Sequence, residues 1–518
     1  MNQKNKWLRY LLTALFTGWF AYGCYRIPDT RLATELLTQI AAHTPLSAEQ
    51  AFSLGAIGFA AAGGVVSVWL FPKCLDAVVG FAKAVNRKRL WKSLFSHSPG
   101  EGVKTLLRFG LNLLLAVLGG TALLLAVFAL PSDEAVEEHM HASAEILERE
   151  GMHPNLYPWC LSRLDNYTDA IMLMNAADDT DESTVRRAML VYRGKYDKDR
   201  EPDPCQDFVD HYGRGESFDG KESYSRYWHG YLLFLKPLLR WMDYAQIRTL
   251  NGILQTAVLL WLLWLLRKRG LGRYILPMVL SVGMLMPVAL ARSLQFSDCY
   301  YLLMLGSIAL LRHFPGKDPK RVLGTVFLNL GISVAYFDFL TYPLATYALP
   351  MAVALLLMDD ASTEEKLCAV IRCGIAWGLG YAGMWSGKWV MAALTTGDST
   401  FASAAEAIAL RLSDVDVDGV TQCTVVGTIF SNFAIFCFTP VLAAVCFVFI
   451  RRLPGKMKKQ DGMGQILPFV LLALLPFLWY AVLKNHSAIH FCFTNKALMA
   501  SVFSALAAVT SLQKKQSV

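Results

Sequence analysis

The chain has 518 residues, of which 54% are hydrophobic and only 17% charged, and its formal net charge is +8. Soluble domains average about 25% charged residues, so a disordered chain, a disulfide scaffold and an ordinary water-soluble enzyme are excluded. Apolar runs of about 20 residues, the length that crosses a bilayer, recur along the whole chain, and mean hydropathy is +0.37. The reading is an all-α integral membrane protein.

In chain order, twelve spans are expected near 7–25, 52–72, 109–131, 246–266, 274–292, 298–311, 322–340, 343–358, 369–395, 425–450, 465–483 and 496–512. The first lacks a small-residue cleavage site and is followed by further spans, so it reads as a retained anchor rather than a signal peptide. Cytoplasmic loops retain Lys and Arg. Such clusters occur at Lys4, Lys6 and Arg9; in 73–108, with eight Lys/Arg; at Arg267, Lys268, Arg269 and Arg273; at Arg312, Lys317, Lys320 and Arg321; and at Arg451, Arg452, Lys456, Lys458 and Lys459. All fall on one side of a twelve-span count, which puts both termini in the cytoplasm and assigns the basic excess to topology and anionic lipid, not nucleic acid. Four regions follow: two N-terminal spans with a basic loop (1–108), a first core span (109–131), a large outer segment after span three ending in a juxtamembrane helix (132–245), and a nine-span membrane domain (246–518).

The polar segment 132–243 carries 23 Asp/Glu against 13 Lys/Arg. A loop longer than about 15 residues is usually functional or separately folded. A helix is expected over Asp133 to Glu150. Next comes LDNYTD, in which Asp165 and Asp169 are four residues apart and share a face if helical. A carboxylate at the mouth of an apolar site can act as a general base; the alternative is that Asp165 caps the helix that follows. Ser223 to Tyr244, aromatic and interrupted by Pro237, reads as a helix lying in the membrane interface, with Tyr227 and His229 as candidate substrate contacts. Cys160 and Cys205 fall where a disulfide is permitted.

Ionisable residues in spans are costly and are functional candidates by default. Arg248, Arg292, Asp298, Asp338, Lys388, His486, His490, Lys484 and Lys496 fall mostly toward the outer side and read together as a cationic cluster able to hold a phosphate. Snorkelling at interfaces is the plain alternative for the lysines. GLGYAG at 378–383 lies inside a span with no preceding strand, so it is not a dinucleotide site, and Gly374, Gly378, Gly383 and Gly387 read as close helix packing. DVDVDG at 414–419 has Val425 where a calcium loop needs Glu. No CxxC pair appears, so zinc and redox chemistry have no support; no cofactor is implied, and a divalent metal stays an open but unsupported reading. No internal repeat is visible, which weighs against a transporter of two six-span halves.

The order of these features resembles the GT-C class of membrane glycosyltransferases, which includes protein O-mannosyltransferases and the aminoarabinose and arabinose transferases. Asp165 and Asp169 stand where that class has its loop acid. Tyr231 to Arg248 is similar to its interface helix and following span. ARSLQFSDCYYLLMLGSIALL at 291–311 is similar to the short turn whose Asp, here Asp298, opens the next span. FLTYPLATYALPMAVALLL at 339–357 resembles the Thr-containing turn before a Pro-bearing span, with Tyr342 in place of the usual Lys, and NHSAIHF resembles the late outer loop. Two extra spans precede the acidic loop. The resemblance implies transfer of a sugar from a polyprenyl-phosphate donor to an envelope glycan, lipid or protein on the outer face of the plasma membrane, with inversion. Asp165 or Asp169 would be the base, and Arg248, Arg292, Asp298, Lys388, His486 and His490 would contact the donor. Rival readings are a transporter or flippase, and a polymerase or ligase of lipid-linked glycans.

Overall fold

The computed structural model describes residues 3–95, 99–131, 133–157, 162–178, 180–196, 203–314, 319–398, 400–413, 424–437, 439, 441–453 and 459–513. Among them, seven helices are long and apolar enough to cross a membrane: Ala48–Ala84, Gly100–Phe128, Tyr244–Lys268, Leu294–His313, Thr363–Thr396, Gly464–Val482 and Phe491–Ser511. Val425–Cys437 and Val441–Arg452 meet at 94° and make an eighth if the pair is one span. The protein is therefore a multi-pass, helical membrane protein. The remaining expected spans fall on Gln3–Tyr25, on the shorter apolar helices Val322–Phe337 and Ala345–Leu357, and on a broken pair, Ile275–Gly283 and Pro287–Arg292.

Two of these outcomes correct the reading of uninterrupted spans. The 274–292 segment breaks because Pro287 drives the residue before it out of the helical region, and Met286 takes φ +53°. The 425–450 segment is bent rather than straight. Ala345–Leu357 is buried along nearly its whole length and, at about 20 Å, is too short to span alone; it forms the middle of the bundle. Val322–Phe337 packs against Thr363–Thr396 with backbones almost touching, since a Cβ on Gly380 would lie 2.2 Å from the Leu328 carbonyl oxygen. Gly383 and Gly387 likewise press on Leu113 and Val117, as expected of packing glycines, whereas Gly378 faces open space.

The polar segment sits on one end of this bundle. Tyr244–Lys268 begins beneath it, where the Tyr244 N–H donates to Ser143 Oγ at 3.1 Å, and ends on Arg267 and Lys268. Leu294–His313 begins at Asp169 and ends on Arg312 and His313. Thr363–Thr396 runs the opposite way. Near its start Arg372 donates to the carbonyls of Ser93 and Leu94, and near its end Lys388 donates to the Ala188 carbonyl at 3.2 Å. Basic residues thus gather at the end opposite the polar segment, where Arg452 also donates to the Arg273 carbonyl; cations there suit the carbonyl ends of helices.

Within the segment, Glu134–Glu150 forms as expected, with Asp133 accepting from the Val136 N–H and Gly151 ending it at φ +72°. Asn166–Ala177 is buried almost throughout, and a two-stranded antiparallel ribbon pairs Tyr192–Lys195 with Gly220–Ser223. Cys205 is buried; Cys160, and with it the expected pairing, lies outside the described residues, as does 414–419. The expected interface helix over Ser223 to Tyr244 is corrected: only Leu232–Leu239 is helical there. Residues before it are drawn into the bundle because the Gly230 N–H donates to the Tyr336 carbonyl at 2.8 Å, an approach that any Cβ at Gly230 would block at 2.6 Å.

Candidate functional site

The residues expected to form one cationic cluster occupy separate places, each built on the start of the Leu294–His313 helix or the turn beside it. The first place is a hydrogen-bonded network in which Arg248 Nε and Gln295 Oε1 alone are buried without a partner among the described residues. Asp169, fully buried, accepts from the backbone N–H groups of Leu294 (2.9 Å) and Gln295 (3.1 Å) and from the Tyr244 hydroxyl (2.6 Å). It therefore serves a helix N-terminus that would otherwise hold unpaired donors. Arg248, on the turn after Tyr244, donates to Glu150 (2.8 Å), Asn166 (2.7 Å) and the Tyr244 hydroxyl (2.6 Å). Glu150 also takes Arg292 at 3.0 Å. Burial pushes Asp169 up to about 6, against the pull of Arg248 and Tyr244. Burial also pushes Glu150 upward, but Arg248 and Arg292 outweigh it and hold its carboxyl below the ordinary value. Arg248 and Arg292, expected to contact a phosphate, are thus both paired with Glu150, an acid the sequence reading passed over. Asn166, whose sequon is formally complete, is buried in the same network.

The second place holds Asp165. Its side chain caps Asn166–Ala177, with Oδ1 accepting from the Thr168 N–H and Oδ2 from the Thr168 hydroxyl at 2.9 Å. Its own N–H donates to Ser293 Oγ at 3.1 Å. The capping alternative is therefore the geometry observed. Burial pushes Asp165 up to about 6, with Thr168 and the Lys496 ammonium pulling the other way. Lys496 is fully buried, lies 4.2 Å from the Phe296 ring centre and donates to the Cys492 carbonyl at 3.3 Å. Asp165 and Asp169 thus flank the same helix start but serve different partners.

The third place is the turn 338–344 and what surrounds it. Asp338 accepts from the N–H groups of Leu340 and Thr341 and from the Thr341 hydroxyl. Leu340 takes φ +72° and His229 φ +57°, costly conformations that cluster at functional sites. The Leu340 carbonyl can only accept, so His486 Nε2 carries the hydrogen in their 2.9 Å bond; burial holds His486 well below its usual pKa. The His490 ring lies 4.7 Å from that of His486. His229 is held by the Tyr224 carbonyl and the Tyr231 hydroxyl, and burial pushes it down to about 3. These two partners fix the orientation of its ring. Lys388 is a strut, pinning the Thr184–Leu190 helix and lying 5.5 Å from the Trp228 ring centre. Asp298 differs from all these: its Oδ2 is buried with no hydrogen-bond partner among the described residues, and Asp338 and Asp169 are its charged neighbours.

The Tyr227 hydroxyl accepts from Arg411 at 2.6 Å. Sequence reasoning missed Arg411; the available signal was a cation near the end of the amphipathic stretch Thr400–Leu412 that follows span nine. Beside this pair a cavity of about 440 Å³ is lined by Tyr167, Tyr224, Arg193, Glu222, Arg226, Asp398 and several Ser and Thr hydroxyls. Among the described residues no three His, Cys, Asp or Glu side chains converge to hold a metal ion.

Set against protein-family models, curated proteins and solved structures, the chain finds no match in any of the three.

Proposed function

We propose that the protein is a membrane glycosyltransferase that moves a sugar from a polyprenyl-phosphate donor to a hydroxyl of an envelope glycan, lipid or protein. It works at the outer face of a plasma membrane, with twelve spans and both termini in the cytoplasm. The observation that carries the reading is Asp298 Oδ2, buried with no hydrogen-bond partner among the described residues. It lies at the junction of the polar segment and the bundle, one turn into a helix whose start is held by Asp169 and Ser293. In this reading Asp298 takes the acceptor proton, with Asp165 as the second carboxylate and Asp169 as the residue that positions the helix. The acceptor oxygen attacks the sugar carbon, the bond from that carbon to the phosphate oxygen breaks, and its electron pair leaves on the lipid phosphate. One displacement inverts the sugar carbon. Fixed donors at the developing phosphate charge would supply the largest part of the rate enhancement.

Three experiments test this. Purified protein supplied with a polyprenyl-phosphate sugar should release polyprenyl phosphate in an acceptor-dependent way, and a deletion strain should lack one sugar from its envelope glycans by mass spectrometry. Intact glycans in the deletion strain, together with lipid movement but no bond cleavage in vitro, would favour a flippase. For sidedness, single cysteines replacing Ser183 and Arg89 are labelled in intact cells; labelling of Arg89→Cys alone would overturn the outer-face assignment.

A further inference from the structure

Four side-chain groups around Tyr227 share one property. Arg226 Nε, Arg411 Nε, Trp385 Nε1 and the Tyr381 hydroxyl are all buried and have no hydrogen-bond partner among the described residues. Each is a donor. Buried polar groups are nearly always paired, and exceptions call for an explanation. Four donors in one neighbourhood, two of them on guanidinium groups, match a ligand rich in acceptor oxygens and negative charge. Arg226 makes no side-chain hydrogen bond at all among the described residues and only rests over the Tyr224 ring at 5.6 Å. Arg411 is held in place by Tyr227 and by the Ala407 carbonyl.

The surroundings narrow the ligand further. Arg226 and Arg411 share a narrow groove of only about 10 Å³ with Trp385, Trp389, Ala407 and Ile408, formed between Thr363–Thr396 and Thr400–Leu412, so a phosphate sits at its mouth, where Arg226 meets the larger polar cavity. Ile408, Val390 and Phe401 are exposed alongside it, the kind of surface a bilayer covers. Arg226 belongs to both walls, lining this groove and the 440 Å³ polar cavity. A free phosphate would not need the apolar floor, and a phosphodiester lipid of the bulk membrane would not need the polar cavity.

We propose that this groove binds a long-chain alkyl or isoprenyl phosphate entering sideways from the bilayer. Its chain lies along Trp385, Trp389 and Ile408, its phosphate lies at the mouth of the groove within reach of Arg226 and Arg411, and its headgroup projects past Tyr224 into the polar cavity. Arg can hold phosphate through two parallel bonds, which a point charge cannot reproduce. The assignment rests on the glycosyl-transfer reading only for the sugar nature of the headgroup. It moves the donor phosphate from Arg248 and Arg292, which Glu150 occupies, to a pair of arginines on other elements.

The test uses the full chain in maltoside micelles and radiolabelled dodecyl phosphate as the probe, with protein-free micelles as the blank. Saturable binding is expected, competed by unlabelled dodecyl phosphate but not by equal concentrations of dodecanol or inorganic phosphate. Arg226→Gln and Arg411→Gln should each weaken binding about tenfold or more, the size of a lost charged hydrogen bond, while Arg214→Gln, on the far side of the segment, leaves it unchanged. Arg226→Gln strands no hydrogen-bonded partner, so it keeps the test open even if Arg411→Gln unfolds; an unchanged elution profile reports folding. Equal binding by Arg226→Gln and wild type overturns the assignment. Equal competition by inorganic phosphate overturns the lipid chain. Binding without sugar transfer sinks the glycosyl-transfer reading alone, and transfer with an unaltered donor KM in Arg226→Gln sinks this site alone.

Discussion

Two arginine-bearing clusters sit at the same end of the bundle and are built on opposite terms. Around Arg248 each charged group has an opposite charge or donor beside it, with Glu150 bridging Arg248 and Arg292 and Asp169 shared among Tyr244, Leu294 and Gln295, although Arg248 Nε and Gln295 Oε1 are also buried without a hydrogen-bond partner among the described residues. Around Arg411 the donors outnumber the acceptors, and Arg226, Trp385 and Tyr381 are left with groups unpaired. Both clusters look alike as a list of residues. The first joins the polar segment to the membrane helices, and the second is arranged for something that arrives. Buried charge by itself therefore does not mark function; the state of its partners does.

The largest expected effect separates the carboxylates. Asp298→Asn should lower sugar transfer by roughly 10²–10⁴-fold, the usual contribution of a general base, with the unfolding midpoint unchanged. Asp169→Asn should instead lower the midpoint first, since its oxygens hold the start of Leu294–His313. Equal transfer rates in Asp298→Asn and wild type would return the base to Asp165. Next, Arg248→Ala takes a charged partner from part-buried Glu150, which keeps Arg292, and a donor from the buried Asn166 side chain, and should cost about 3 kcal/mol, read as a lowered unfolding midpoint or failed expression. If that variant is stable and merely inactive, the closed cluster is a functional site after all.

A third effect follows from Asp165. Its pKa is raised from 3.8 to about 6 on folding, so the folded state holds the proton longer. That contribution is complete below pH 3.8 and is lost as pH rises through 6, amounting to at most about 3 kcal/mol. Asp165→Asn keeps the cap but not the proton, so its stability relative to wild type should improve between pH 4 and pH 7; a constant difference would mean that Asp165 stays charged. The smallest effect belongs to Lys388. Lys388→Met removes one bond to the Ala188 carbonyl and a buried charge whose desolvation offsets it, so stability should change by about 1 kcal/mol or less, with transfer intact. A large loss of donor affinity would restore Lys388 to the phosphate site.

Sequence alone determined the multi-pass helical character, the Glu134–Glu150 helix and much of the glycine packing of span nine, and it offered the Asp165 cap as one of two readings. Each depends on neighbours within a few residues or on the bilayer's demand for apolar length. It also marked where the chain's polar chemistry lies, since charge in an apolar chain is conspicuous. Only the tertiary structure decided what those charges do. Arg248 meets Glu150 across 98 residues and Arg411 meets Tyr227 across 184, so no local pattern distinguishes a satisfied arginine from an unsatisfied one. The stretch before Leu232 lost its expected helix for the same reason, because a hydrogen bond from Gly230 to Tyr336 outweighs local propensity. Hydrogen bonding in a buried site is settled by which groups the fold brings within 3 Å, and that is a property of the packed helices rather than of any segment.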